Sequence, residues 1–211
     1  MKKISIVAGG VLDEILLDRI KQSEFIIGVD RGAWWLFSHG IKPTIAIGDF
    51  DSISEDQLKK LEKAHIPVEK YSREKNETDL ELAVTFACSK KPERIEIFGV
   101  IGSRLDHSLA GVSLLALCFE RKISAKIITK TSELILYSGK IILPKSNQYK
   151  YISLLSWSEE ILVSIRGCKY NGDNIQIKRG ESQGVSNEIV EKEAQINISS
   201  GIALLIQSRD E

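Results

Sequence analysis

The sequence predicts a chain in two parts: an α/β domain over residues 1–130, built on a mostly parallel Rossmann-like sheet, and a smaller all-β sandwich over 131–211. Three observations carry that reading. Short β-prone runs alternate with helix-period segments up to about residue 130. After Thr131 the helical period disappears. Turn-forming glycines then punctuate the remaining chain at short intervals. The composition agrees with a globular protein: 211 residues, 43% hydrophobic and 27% charged, with 29 Lys+Arg against 29 Asp+Glu and no net formal charge. That balance excludes disorder, a collagen-like fibre and a strongly basic nucleic-acid binder.

In the first part, strands are expected at 4–8, 25–29, 44–47, 67–71, 94–98 and 125–129. Ser54-Glu55-Asp56-Gln57 is a capping box, which opens a helix with Leu58 and Leu61 on one face. Thr78-Asp79-Leu80-Glu81 opens a second, with Leu80, Ala83, Val84 and Ala87 at helical spacing. A third, over 105–119, is apolar enough to be buried on more than one side. Such alternation implies right-handed crossovers and a sheet covered on both faces. In the second part the runs 134–137, 140–143, 151–155, 162–165, 174–178, 194–198 and 202–207 read as short strands, with turns at Gly139, Gly180, Gly184 and Gly201. Asn171-Gly172 suits a two-residue type I′ hairpin, because both residues tolerate positive φ.

No stretch is long enough to cross a bilayer; the best candidate, 109–119, is uncharged for eleven residues. The N-terminal apolar run is cut short by Asp13 and Glu14 and reads as an opening strand, not a signal peptide. Cys88, Cys118 and Cys168 are odd in number and far apart, so neither a disulfide framework nor a zinc site is indicated, and Cys88 and Cys118 sit in core-like helical contexts. A cytoplasmic location is the expectation.

Ligands of open parallel α/β sheets bind beyond the carboxyl ends of the strands. Here the segments after the second to fifth strands each deliver an Asp, and three of them an Arg: Asp30-Arg31, Asp49-Phe50-Asp51, Arg73 through Lys75 and Thr78 to Asp79, and Arg104-Leu105-Asp106-His107. That set suits metal-assisted phosphoryl transfer. In an extended segment Asp49 and Asp51 would point to one side and share a Mg²⁺, while Arg31, Arg73, Lys75 and Arg104 would neutralise phosphate oxygens. Plainer readings exist for each residue. Asp-x-Asp often caps a turn, Asp79 beside Thr78 favours a helix start through the helix dipole, and Arg104 with Asp106 would make a local ion pair. There is no G-x-x-x-x-G-K-[ST] loop, and Gly9-Gly10 does not extend to G-x-G-x-x-G, which argues against a dinucleotide oxidoreductase.

Gly48-Asp49-Phe50-Asp51-Ser52, Thr78-Asp79, Gly102-Ser103-Arg104-Leu105-Asp106-His107 and Gly184-Val185-Ser186-Asn187-Glu188 occur in the order seen in thiamine pyrophosphokinases, and the chain resembles the bacterial form of that family over nearly its whole length. The resemblance implies transfer of the pyrophosphoryl group of ATP to the hydroxyl of thiamine, giving thiamine diphosphate and AMP, with Mg²⁺ as cofactor. It implies a homodimer whose active site lies between the α/β domain of one subunit and the β domain of the other. Carried over by motif, Asp49, Asp51 and Asp79 would hold the metal and triphosphate, with Arg104 and Asp106 in the same catalytic cluster. Asp30, Arg31, Arg73, Lys75, Thr78, Arg104 and His107 would bind ATP and its phosphates, and Ser186 and Asn187 would contact thiamine. Lys169-Tyr170 also matches a Lys-Tyr pattern. The chain departs from the pattern at Asn76, where many relatives carry Asp, and at Ser103, which replaces a glycine; no Trp follows Asn187 to stack on thiamine. Competing readings are a Mg²⁺-dependent phosphohydrolase or nucleotidyl-sugar enzyme built on Asp49 and Asp51, and a non-catalytic nucleotide or vitamin sensor. No nucleic-acid or membrane partner is expected.

Overall fold

The structure is a computed structural model that describes residues 2–72 and 74–210. The chain divides into two units, Met1–Lys130 and Thr131–Glu211. The boundary lies where the helical period ends.

The first unit is built on parallel strands β1 (Lys3–Val7), β2 (Phe25–Val29), β3 (Ile45–Gly48), β4 (Val68–Lys70), β5 (Arg94–Phe98) and β6 (Ser124–Ile128) in the order β6-β5-β1-β2-β3-β4. The chain steps outward from β1 to β4, then returns to the other side of β1 for β5 and β6. The order therefore reverses between β1 and β5, and strand ends separate there to leave a crevice. Helix α1 (Leu17–Lys21) follows a 3₁₀ turn, and α2 (Arg31–Ser38) and α3 (Glu55–Lys63) complete that side. Their apolar residues Leu16, Ile20 and Leu36 meet Val7, Ile26 and Phe98 of the sheet, and Leu61 meets Ala33 and Ala46. Helices α4 (Asp79–Ser89) and α5 (Leu105–Glu120) pack on one another, α4 lying against β1 to β3 and α5 against β6.

Local chemistry explains the helix starts. Ser54 accepts from the Gln57 N–H and the Gln57 side chain accepts from the Ser54 N–H, so the expected capping box is formed. Thr78 accepts from the Glu81 N–H at 3.2 Å and caps α4. Cys88 and Cys118 are buried, with their sulfurs 3.8 Å apart between α4 and α5. Helix α5 departs from the expectation of burial on more than one side: Leu105 and Leu109 are 69% and 60% exposed.

The second unit contains β7 (Ser132–Pro144), β8 (Tyr151–Ser156), β9 (Glu160–Arg166), β10 (Gly172–Lys178), β11 (Asn187–Glu188) and β12 (Glu193–Ser208). Four of the expected short strands are two long ones. Gly139 and Gly201 do not reverse the chain; they take φ of +90° and +80° inside β7 and β12, where the register between those strands shifts. β12 pairs with β7 along both halves, with β9 on its first half and with β8 on its second. The unit is thus two leaves sharing their long strands, a way of turning a sheet corner that needs bulges. Inward residues of both leaves, among them Ile161, Val163, Ile165, Ile196, Ile198, Leu205, Ile152 and Leu154, form one core. The expected two-residue turn at Asn171-Gly172 is not made. β9 and β10 are joined by a longer loop in which Gly167, at φ +79°, takes the left-handed position and Asn171 Oδ1 accepts from the Cys168 N–H. No helix of the described residues is long and apolar enough to cross a membrane.

One buried feature has no counterpart in the hydrophobic pattern. Glu96 on β5 is 6% exposed and lies 2.7 Å from Lys3 Nζ, while Arg19 of α1 donates to both its oxygens at 3.0 and 3.1 Å. Burial alone would raise the Glu96 pKa, but the hydrogen bonds from Arg19 and Lys3 outweigh it and hold the group below its ordinary 4.5. A carboxylate with a lowered folded-state pKa stabilises the fold above its unfolded value and loses that contribution as pH falls through the folded one. Glu96→Gln should therefore cost on the order of 3 kcal/mol at pH 7, and the gap should narrow as pH falls below the unfolded value of 4.5. Urea unfolding of both proteins across pH 7 to 3 checks this; a gap that does not change with pH would contradict it.

Candidate active site

The crevice at the β1/β5 switch point has a volume of about 640 Å³. Its floor is backbone. The Gly10 N–H donates to the Gly99 carbonyl and the Val11 N–H to the Ile101 carbonyl, both at 2.7 Å, which zips the loop after β1 to the loop after β5. A Cβ on Gly10 would overlap the carbonyls of Gly99 and Ile101, so only glycine allows that approach. Gly9, Gly10, Gly99 and Gly102 line the crevice and lie outside the expected site residues. Their position at the carboxyl ends of the two central strands was the signal.

Three carboxylates converge here. Oxygens of Asp30, Asp49 and Asp79 lie within 4.8 Å of one another. Asp30 follows β2 with φ +47°, a strained conformation for a residue with a side chain. It is held by its N–H to the Ile47 carbonyl and by the Phe50 N–H to its Oδ1, both 3.1 Å. A Cβ on Gly48 would overlap that same Oδ1, so Gly48, at φ +150°, leaves the room that the Asp30 carboxylate fills. Asp79 occupies the first turn of α4, where the helix dipole favours negative charge, and lies 2.6 Å from Lys75 Nζ. Desolvation, and then the charges of Asp79, Asp49 and Asp51, push the Asp30 pKa up to about 7 in the metal-free protein, and the Phe50 hydrogen bond only partly opposes the rise.

The three carboxylates that converge are Asp30, Asp49 and Asp79, whereas the sequence reading groups Asp49, Asp51 and Asp79. The same-side reading of Asp49 and Asp51 assumed an extended backbone. β3 ends at Gly48 and Phe50 takes φ +59°, sending its ring into the core beside Ala33 and Leu61. The Asp51 N–H closes a turn onto Asp49 Oδ1 at 2.9 Å, and Asp51 stands exposed on the crevice wall outside the triad. Asp30 is the third carboxylate of the triad. Three carboxylates with oxygens within 4.8 Å of one another are a donor set that fits a hard divalent cation such as Mg²⁺.

The cations are distributed unevenly. Arg31 lines the crevice and donates through Nε to the Gly9 carbonyl at 3.1 Å. Thr78, Arg104 and His107 also line it. Arg104 donates to Asp106 at 2.7 Å; both side chains are exposed, and Asp106 is paired at the rim without joining the triad. That spacing realises the local ion pair. Ser103 sits on the crevice wall, and the neighbouring Gly102 N–H donates to the buried Ser108 hydroxyl at 3.0 Å. Arg73 lies outside the described residues.

In the second unit, Ser186 is exposed at φ +60°. Asn187 is 8% exposed, and its amide spans the backbone of Tyr170, accepting from the N–H at 3.0 Å and donating to the carbonyl at 2.7 Å. The backbone of Tyr170, whose side chain is 62% exposed, is thereby held beside Asn187.

Fold and crevice together define a class: an open, mostly parallel α/β domain with an acidic crevice at the switch point of its sheet, followed by an all-β unit. Comparison with known proteins narrows the class. Residues 16–127 match the model of the thiamin pyrophosphokinase catalytic domain, and 140–203 that of the thiamin pyrophosphokinase vitamin B1 binding domain. The chain is 36% identical over 214 residues to the thiamine pyrophosphokinase of Bacillus subtilis (strain 168), with all of both chains covered. A crystal structure of thiamine pyrophosphokinase from Bacillus subtilis superposes with a TM-score of 0.93 at 33% identity over all of both chains. One from Geobacillus thermodenitrificans gives 0.87 at 31% identity, covering 99% of this chain and 98% of that one. The chain belongs to the thiamine pyrophosphokinase family and is an enzyme of that kind.

The raised Asp30 pKa makes a signed prediction. Between the unfolded value near 3.8 and the folded value of about 7, the folded protein binds the extra proton, so stability falls as pH rises through that window. Asp30→Asn keeps the Phe50 hydrogen bond and removes the charge. It should stabilise the metal-free protein at pH 8 by about 1–3 kcal/mol and have little effect at pH 4. It should also abolish the rise in unfolding midpoint that Mn²⁺ gives the parent. A destabilised Asp30→Asn protein at pH 8 that still responds to Mn²⁺ would remove Asp30 from the site.

Proposed function

We propose that this chain transfers the pyrophosphoryl group of ATP to the hydroxyl of thiamine, with Mg²⁺ as cofactor, releasing thiamine diphosphate and AMP. The observation that carries the reading is the meeting of Asp30, Asp49 and Asp79 at the β1/β5 switch point, in a chain matched by both a catalytic and a vitamin B1 binding family model.

The thiamine hydroxyl oxygen forms a bond to the β-phosphorus of ATP, the bond from that phosphorus to the oxygen bridging to the α-phosphate breaks, AMP leaves with the bridging oxygen, and the hydroxyl proton passes to solvent by way of Asp79 or Asp51. Asp30, Asp49 and Asp79 would hold Mg²⁺, with Asp51 at the rim. Bound there, the ion supplies positive charge to the triphosphate oxygens. The glycines let phosphate approach the backbone there without side-chain obstruction. Arg31, Lys75 and Arg104, with Thr78 and His107, are assigned to the phosphates, and the Gly9 carbonyl orients the Arg31 guanidinium. Little covalent chemistry is asked of the protein, so positioning and charge supply most of the rate. Ser186 and Asn187 are assigned to thiamine, Asn187 through the Tyr170 backbone that it clips.

We also propose that the enzyme works in the cytoplasm as a homodimer, the β unit of one subunit completing the site of the other. Supporting this, Val11, Ile101, Leu105 and Leu109 are exposed apolar residues on the loops and helix start that border the crevice. Leu105→Glu/Leu109→Glu should yield monomers by sedimentation and lower kcat/KM for thiamine at least tenfold. Dimers of undiminished activity would contradict that role.

Product analysis tests the reaction itself. With ATP, Mg²⁺ and thiamine, AMP should appear one-for-one with thiamine diphosphate, and Asp49→Asn and Asp79→Asn should each lower kcat by about a thousandfold with folding intact. ADP with thiamine monophosphate would mean a single phosphoryl transfer. Inorganic phosphate released without thiamine would favour a phosphohydrolase, and saturable thiamine binding without turnover a sensor.

A further inference from the structure

We propose that Ser153 on β8 is a positioning residue that holds Ser186 in the conformation it presents to thiamine, an inference that rests on the assignment of Ser186 to the thiamine face. β11 pairs antiparallel with β8 through Asn187 to Ile152 and Glu188 to Tyr151. Continued one step, that ladder would set Ser186 against Ser153. The chain leaves the ladder there instead, with Ser186 at φ +60°. Its N–H, turned away from any ladder carbonyl, donates to the Ser153 hydroxyl at 3.1 Å.

A second anchor lies two residues upstream. The Leu154 N–H donates to the Gly184 carbonyl at 2.9 Å, and Gly184 sits so close to β8 that a Cβ would overlap the Leu154 carbonyl. Val185 and Ser186 therefore arch outward between two fixed points on one strand, and both are exposed while Ser153 is 8% exposed. The left-handed backbone is costly for a residue with a Cβ, so the arch persists only where its surroundings enforce it. One of the two enforcing contacts is a side-chain hydroxyl. Without it the Ser186 N–H loses its partner and the arch loses one of its two anchors, and the cost falls on thiamine recognition before it falls on the core.

Threonine and valine have nearly the same shape and differ by the hydroxyl, so they separate this role from packing. Steady-state kinetics should show Ser153→Val raising the thiamine KM about tenfold, with the ATP KM and kcat at saturating thiamine within about twofold of the parent. Ser153→Thr should restore the thiamine KM. Should valine and threonine both disturb folding, Ser153→Ala provides the second variant: amide hydrogen exchange at Ser186 should be at least tenfold faster than in the ligand-free parent, with an unchanged rate at Ile152. An equal rise of the thiamine KM in folded Ser153→Val and Ser153→Thr would overturn the proposal, as would an unchanged Ser186 exchange rate in Ser153→Ala. Ser186→Ala separates the two failures. If it raises the thiamine KM and Ser153→Val does not, the thiamine assignment stands and the Ser153 role falls. If Ser186→Ala itself leaves the thiamine KM unchanged, the assignment of Ser186 falls and takes the proposal with it.

Discussion

The crevice depends on one close approach, the Asp30 carboxylate lying over the bare α-carbon of Gly48. A side chain at 48 would displace the carboxylate, and a relaxed backbone at Asp30 would aim it elsewhere. The strained φ at Asp30, the Phe50 N–H bond to its Oδ1 and the left-handed turn at Phe50 all serve that placement. The result brings three carboxylates together at an energetic cost. An Asp30 pKa of about 7 instead of 3.8 corresponds to roughly 4 kcal/mol between its protonation states. A fold that carries such a penalty gains from a cation that relieves it, and stability is commonly given up in this way where a binding site is built.

The remaining architecture secures that arrangement. Parallel strands need crossover helices, and reversal of their order between β1 and β5 opens the space into which the carboxylates point. Glycines at the ends of those two strands let the loops meet backbone to backbone along the crevice. Behind it, the Lys3–Glu96–Arg19 cluster ties β1, β5 and α1 together in a position the apolar pattern treats as plain strand. The second unit uses glycine for a different end: Gly139 and Gly201 let two long strands pass from one leaf to the other around a single core.

Much of this was legible in the residues. The strands at 25–29 and 94–98 coincide with their periodic runs, and the capping chemistry of Ser54 and Thr78 marks the helix starts because side-chain caps are local. What local pattern could not supply is backbone that departs from regular form. Asp49 and Asp51 looked like a pair because alternation assumes extended chain, and Phe50 turning left-handed into the core breaks that assumption. Asp30 enters the triad through a contact with Gly48, eighteen positions away in the chain. Gly139 and Gly201 read as turns because a bulge and a turn ask the same freedom of a glycine. Asn187 read as a ligand contact, and its amide is largely engaged with the Tyr170 backbone, a partner set by the tertiary fold.

The central claim is that Asp30, Asp49 and Asp79 together hold the divalent cation on which the triphosphate is positioned. A crystal structure with Mn²⁺ and a non-hydrolysable ATP analogue, read by anomalous scattering at the manganese edge, tests it most directly. The account predicts a manganese peak about 2.2 Å from a carboxylate oxygen of each of the three, with the analogue's phosphates over the Gly9–Gly10 and Gly99–Gly102 loops. A peak coordinated by Asp49 and Asp51 with Asp30 remote from it, or one outside the β1/β5 crevice, would contradict the account.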